Sequence, residues 1–290
     1  MKKRMRVSVV IPVYNQFESL MKVLYGFTQQ DYPTELIEII VIDDGSTDKL
    51  SDFDMVGYSN RWGINIIVIH QCNKGRACAR NLGIKYAKGD IVVFCDGDRV
   101  PDRKFISEHV RMHEGNGTYA VIGAAYDYFG IAGNIADNAV DWSKVIKLSR
   151  QSAYYKKVSM MYNENGRAVS NIVWLSFLVG NSSISREVIA GELFDECFTE
   201  WGFEHFELAY RLYKNHVMFC YNENARNYHI PHKREQGFYE NQIKKSAKQM
   251  SSIHPEINDR VLVDFVYLDM DIKKAEESLI IKDKRSKKDE

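Results

Sequence analysis

Val7-Ser8-Val9-Val10-Ile11-Pro12-Val13-Tyr14-Asn15 is a nearly continuous apolar, mostly β-branched run that stops at two polar residues. A strand with one wet face alternates apolar and polar residues. A run without alternation belongs to a parallel strand covered by helices on both faces. Working outward, Phe17, Leu20, Met21, Leu24 and Phe27 recur at helical spacing. Ile37–Ile42, Ile64–Ile69 and Ile91–Cys95 repeat the buried-strand pattern, and Arg76–Ala87 reads as a helix between the last two. Strands alternating with helices predict an α/β fold with a mostly parallel central sheet flanked by helices.

In such sheets ligands bind beyond the carboxyl ends of the strands. The polar clusters fall there: Tyr14-Asn15 after the first strand, Asp43-Asp44-Gly45-Ser46 after the second, Asp96-Gly97-Asp98 after the fourth. The first strand is not followed by G-x-G-x-x-G, so the dinucleotide fingerprint is missing.

The 290 residues, 45% hydrophobic, suffice for one large domain or two modest ones. Lysine plus arginine number 39, as do aspartate plus glutamate, which removes any electrostatic case for nucleic acid. Cys72, Cys78, Cys95, Cys197 and Cys220 form no C-x-x-C pair, which fits a reducing compartment. The apolar stretch after the basic Met1–Arg6 is too short for a signal peptide core or a membrane span. The expectation is a cytoplasmic protein without a transmembrane segment, which leaves room for peripheral membrane contact.

Asp-x-Asp is a cheap pattern. Three copies occur, Asp52-Phe53-Asp54, Asp96-Gly97-Asp98 and Asp269-Met270-Asp271, where chance supplies about one. Only the middle copy follows a buried strand. Its carboxylates suit a hard divalent cation, Mg²⁺ or Mn²⁺, that would clamp a diphosphate. Asp-Gly is equally a strong turn dipeptide, so both readings stay open on spacing alone.

From about Ile131 to Val179 the pattern loosens. Gly180-Asn181-Ser182-Ser183 follows, then a helix after Trp201-Gly202, then Tyr228-His229-Ile230-Pro231-His232. The expected division is 1–125 for the ligand-binding part, 126–275 for a second part, and a charged, disordered tail over 276–290.

Taken together, these residues resemble a family 2 glycosyltransferase of GT-A fold with a C-terminal acceptor-binding extension. The resemblance rests on Val9–Asn15, Val41–Asp48, Asn73–Asn81 and Asp90–Asp98. Trp201-Gly202-Phe203-Glu204-His205-Phe206-Glu207-Leu208, followed by Arg211, is similar to the W-G-x-E-D-x-E-L acceptor motif of many such enzymes and of a C-terminal galactosyltransferase-type module. The resemblance implies a nucleotide-sugar donor, a UDP-sugar favoured, and a saccharide, peptide or small-molecule acceptor. Pro12, Tyr14 and Asn15 would line the nucleotide pocket. Asp44 would accept a hydrogen bond from uracil, with Asp43 beside it either contacting the donor or orienting the loop. Arg76 and Arg80 would meet ribose and phosphate, and Asp96, next to Gly97, the sugar or ribose. Asp98 and His229 would hold the metal, with His232 a weaker candidate. Asn181, Trp201 and Glu204 would face the acceptor.

His205 stands where the family's inverting members carry the aspartate that acts as general base. Histidine can do that work. The alternatives are that Glu204 or Glu207 takes the role, that transfer is retaining, or that the protein binds nucleotide sugars without turnover. A nucleotidyltransferase is a weaker reading, because the glycine-rich phosphate loop it needs is absent.

Overall fold

The computed structural model describes residues 4–52, 54–115, 117–130, 135–136, 139–199, 202–231 and 238–280. The N-terminal half alternates as expected: β1 Val7–Val13, α1 Phe17–Thr28, β2 Ile37–Asp43, α2 Met55–Trp62, β3 Asn65–His70, α3 Arg76–Tyr86 and β4 Ile91–Cys95. Then come β5 Arg99–Pro101, α4 Phe105–His113, β6 Tyr119–Tyr128, the short pair β7 Ile135–Ala136 and β8 Ala139–Val140, α5 Trp142–Lys147, β9 Ser149–Arg150 and α6 Ala153–Ser159. The rest is β10 Asn181–Ser185, α7 Arg186–Gly191, α8 Glu204–Lys214, β11 Met218–His229, α9 Phe238–Ile253, α10 Asp259–Val266 and α11 Ile272–Ser278. None of the described helices is long and apolar enough to cross a membrane.

One sheet runs β3-β2-β1-β4-β10-β6-β11-β5, with β9 attached to β6. The first four strands are parallel. β10 runs against β4 and against β6, and β11 runs parallel to β6. Two reversals cancel, so β6 and β11 point the same way as β1. Six strands therefore deliver their carboxyl ends to one edge.

The lack of alternation in β1 is explained by its two covered faces. Val7, Val9, Ile11 and Val13 pack with Leu20, Leu24 and Phe27 of α1 and Phe105 of α4. Val10 looks the other way, into a core shared with Ala77 of α3, Phe94 and Trp174. Each such side chain, fully buried, stabilises by about 1.5–3 kcal/mol.

β6 runs through the expected boundary at residue 125, and β10 inserts between β4 and β6. The two halves thus share one sheet. Residues 276–280 are ordered where a disordered tail was expected: α11 continues to Ser278, and Leu279 is fully buried. Residues 281–290 lie outside the described residues.

β11 breaks step once. Asn222 pairs with Gly123 and Arg226 with Ala124, so Glu223, Asn224 and Ala225 bulge while the partner strand advances by one residue. Asn181 plugs this defect. Its Nδ2 donates to the Ala124 carbonyl at 3.1 Å and to the Ala225 carbonyl at 3.0 Å. Its Oδ1 therefore faces His109 Nε2 at 3.0 Å. An amide oxygen only accepts, so the His109 proton sits on Nε2. His109 Nδ1 then accepts from Ser183 Oγ at 2.8 Å, and Ser183 accepts from His113 Nε2 at 2.8 Å. This neutral chain lies wholly inside the protein. Burial pushes His109 down to about 4. Burial, with the His109 ring second, pushes His113 down to about 3.

Candidate active site

The carboxyl ends of β1 and β2 hold each other. Asn15, in the left-handed region at φ 52°, donates its backbone N–H to Ser46 Oγ at 2.9 Å. Its Oδ1 accepts from the Thr47 N–H at 2.8 Å. Pro12 ends half-buried in β1, and Tyr14 stands exposed beside Asn15.

The two aspartates after β2 divide the work. Asp43 is turned inward. It accepts from the Ser46 N–H at 2.8 Å and from His70 Nδ1 at 2.8 Å. Burial opposes its charge, yet Ser46 and His70 hold its carboxyl below the usual range. Both oxygens bind groups of the protein, so Asp43 orients the loop. Asp44 faces the start of α3. Its Oδ1 accepts from the Lys74 N–H at 2.8 Å and Gln71 Nε2 at 2.6 Å, and its Oδ2 from the Gly75 N–H at 2.9 Å.

Asp96-Gly97-Asp98 is a turn, closed by the Arg99 N–H donating to the Asp96 carbonyl at 3.1 Å. It does not build a hairpin: β5 pairs with β11 instead of β4. The turn and metal readings are therefore compatible, because the turn lifts both carboxylates to the sheet edge. A Cβ on Gly97 would stand 3.0 Å from Val13 Cγ2, so the turn is pressed against β1. Asp98 Oδ2 accepts from Gln16 Nε2 at 3.1 Å. His229, the last residue of β11, brings Nε2 to 3.6 Å from Asp98 Oδ2, while its Nδ1 lies 3.0 Å from Asp127 Oδ1. One cation with bonds of about 2.0–2.3 Å spans such an oxygen–nitrogen pair. The donor set, one carboxylate and one imidazole, suits Mn²⁺ better than Mg²⁺, which favours oxygen ligands alone. Among the described residues no group of three His, Cys, Asp or Glu side chains is placed to hold an ion. The remaining positions would fall to phosphate oxygens and water. A cleft of about 560 Å³ adjoins Asp98, bordered by Asn15, Gln16 and Ile230.

Arg80 departs from its expected role. Its side chain is 2% exposed. Nη1 pairs with Glu204 Oε1 at 2.7 Å and Nη2 with Asp96 Oδ1 at 3.1 Å. A buried guanidinium closed by two carboxylates is not available to ribose or phosphate. It ties the turn after β4 to the start of α8. Arg99 approaches the same Asp96, Nε to Oδ2 at 3.6 Å. A Cβ on Gly180 would lie 2.5 Å from that Nε and 2.7 Å from Asp96 Oδ2, so only glycine leaves the pair room. Arg76, at the start of α3, is exposed and lies near enough to Glu204 to act on its charge.

Gly202 at φ 94° and Phe203 at φ 69° make a left-handed turn that starts α8 at Glu204. The strain at Phe203 is offset by burying its ring. Burial opposes the Glu204 charge, but His205, Arg80 and Arg76 hold the carboxyl well below the usual range. Glu204 is thus a fixed anion. Glu207 is spent too: Arg211 binds it twice, at 2.8 and 2.9 Å, and His254 Nε2 lies 3.0 Å away. His205 is the remaining candidate base. Its Nδ1 is 3.7 Å from Glu204 Oε1, an ion-pair distance beyond a hydrogen bond, and is the buried ring nitrogen.

Asn181 is fully buried and fully hydrogen-bonded, so the expected acceptor contact is replaced by the bulge-plugging role. Trp201 and His232 lie outside the described residues. Asp127, Gln16 and Gln71 escaped the sequence reading. Asp127 had a signal: it closes an apolar strand as Asp43 does in β2.

A family model described as glycosyl transferase family 2 matches residues 8–188. The chain is 25% identical over 262 residues to the uncharacterized glycosyltransferase YfnE of Bacillus subtilis, covering 79% of this chain and 65% of that protein. It resembles the crystal structure of S. aureus TarS 1-349 in complex with UDP-GlcNAc, with TM-score 0.62, 17% identity and coverage of 92% and 74%. It also resembles the mannosyltransferase PcManGT of Pyrobaculum calidifontis in complex with GDP-Man and Mn²⁺, with TM-score 0.61, 18% identity and coverage of 95% and 73%. The chain spans less than two thirds of the curated relatives' length, 38% for the glycosyltransferase AglE of Haloferax volcanii.

Proposed function

Because the chain belongs to glycosyl transferase family 2, we propose that it moves a sugar from a UDP-sugar to a saccharide, peptide or small-molecule acceptor, with inversion and with a divalent cation. The observation that carries this reading is the Asp98–His229 pair, 3.6 Å apart at the edge where six strands end. A cation bound there would offset charge on the departing nucleoside diphosphate.

Asp44 supports a uridine donor. Its Oδ1 already accepts two hydrogen bonds and its Oδ2 one. A carboxylate has about four lone-pair sites. The single site left on Oδ2 matches the one N–H of uracil better than the paired N–H groups of guanine. Asp96 lies between that pocket and the acceptor motif, and Arg80 fixes its position. Glu204, held by Arg80, faces the Nδ1 side of His205. His205 takes the acceptor hydroxyl proton at Nε2, with the Glu204 charge favouring the imidazolium that forms. Apo distances of this kind commonly tighten when substrate binds.

The test is calorimetric titration of UDP and GDP with and without Mn²⁺, followed by NMR of the product anomer. Tighter UDP binding with Mn²⁺ and an inverted product support the reading. Metal-independent binding or a retained anomer overturns the corresponding part.

A further inference from the structure

Asp127 sits one residue before the end of β6. In the ladder it pairs with His229, and His229 pairs with Arg99 on β5. The three residues form one row across three strands, where paired side chains share a face. The row exists because of the bulge at Glu223–Ala225. An odd number of extra residues turns the rest of β11 over relative to β6.

A carboxylate oxygen accepts but does not donate. Asp127 Oδ1, 3.0 Å from His229 Nδ1, therefore places the proton on Nδ1. In the neutral imidazole the lone pair then falls on Nε2, the nitrogen that lies toward Asp98. The imidazole is held at its Nδ1 end by the carboxylate. We propose that Asp127 is the positioning residue that sets the tautomer and orientation of His229 for a divalent cation shared with Asp98. This rests on the metal reading of Asp98 and His229 given above. Such carboxylate partners of a ligating histidine are worth about 10- to 100-fold in metal affinity.

The probe is Mn²⁺, titrated into the UDP-saturated protein and read by calorimetry or water-proton relaxation. Asp127→Ala should weaken Mn²⁺ binding 10- to 100-fold. Asp127→Asn keeps an accepting oxygen and should recover most of the loss. UDP affinity without metal should be unchanged in Asp127→Asn. In a His229→Ala background, Asp127→Ala should cost nothing further. Wild-type Mn²⁺ affinity in Asp127→Ala overturns the assignment. So does an undiminished loss in the His229→Ala background, because Asp127 would then act elsewhere. If the wild-type protein itself binds no Mn²⁺ with UDP, the metal reading fails first and the positioning role falls with it.

Discussion

In the proposed reaction His205 is the general base, and its neighbours narrow its role. Glu204 and Glu207 are locked into ion pairs with Arg80 and Arg211. His205→Ala should lower kcat by about 10² to 10⁴ while UDP affinity stays near wild type. Steady-state kinetics with an accepted acceptor measures this, and an alanine variant with wild-type kcat would remove His205 from the reaction. At the other end of the site, Asp44→Ala should weaken UDP by about 10- to 100-fold, the range for a hydrogen bond to a charged group. Pyrophosphate, which lacks the base, should bind as before; equal losses in a parallel titration would contradict the assignment. Asp44 and Asp98 stand out in the sequence because each follows a strand signal, whereas His229 stands out only through the resemblance to the family. Arg80 and Asn181 misled for a shared reason: burial depends on what packs over a residue, and their partners lie 124 and 72 positions away in sequence.

Elements of the N-terminal half were readable to within a residue or so, because an unbroken apolar run and a helical spacing are local patterns. β10, the β11 bulge and the return of β6 to parallel were not. Register is set by pairing between distant segments, and no single segment encodes it. Asn181 is the residue on which that pairing depends. Asn181→Leu would orphan the Ala124 and Ala225 carbonyls and the His109 Nε2–H. The expected loss is on the order of 3 kcal/mol or more, since buried groups without partners cost about 1–3 kcal/mol each. Denaturant unfolding measures it. A loss below about 1 kcal/mol would mean that the bulge satisfies itself another way.

At the level of the whole molecule, the buried His109–Ser183–His113 chain predicts an acid limit. Burial holds both histidines far below 6.5, His109 at about 4. Between those values the unfolded chain takes up protons that the folded protein refuses, so stability falls as pH drops from about 6.5 toward 4. The loss from His109 alone is on the order of 3 kcal/mol. The carboxylates held low, such as Glu204 and Glu207, lose their contribution only below their ordinary range near 4.5. Unfolding free energies measured between pH 4.5 and 7 isolate the histidine effect. His113→Gln should flatten the slope, and an unchanged slope would place the titration elsewhere.

The Arg80 bridge also bears on recombination. Arg80 comes from α3 in the N-terminal half, and Glu204 from the start of α8 in the C-terminal half. Removing one member of a buried ion pair costs up to about 3–5 kcal/mol, and less here, because Asp96 still faces Arg80 when Glu204 is gone. A recombinant that joins residues 1–125 of this chain to a relative's C-terminal half should be less stable when that half lacks the matching carboxylate. Chimeras with and without a carboxylate at the Glu204 position, compared for soluble yield, would test this.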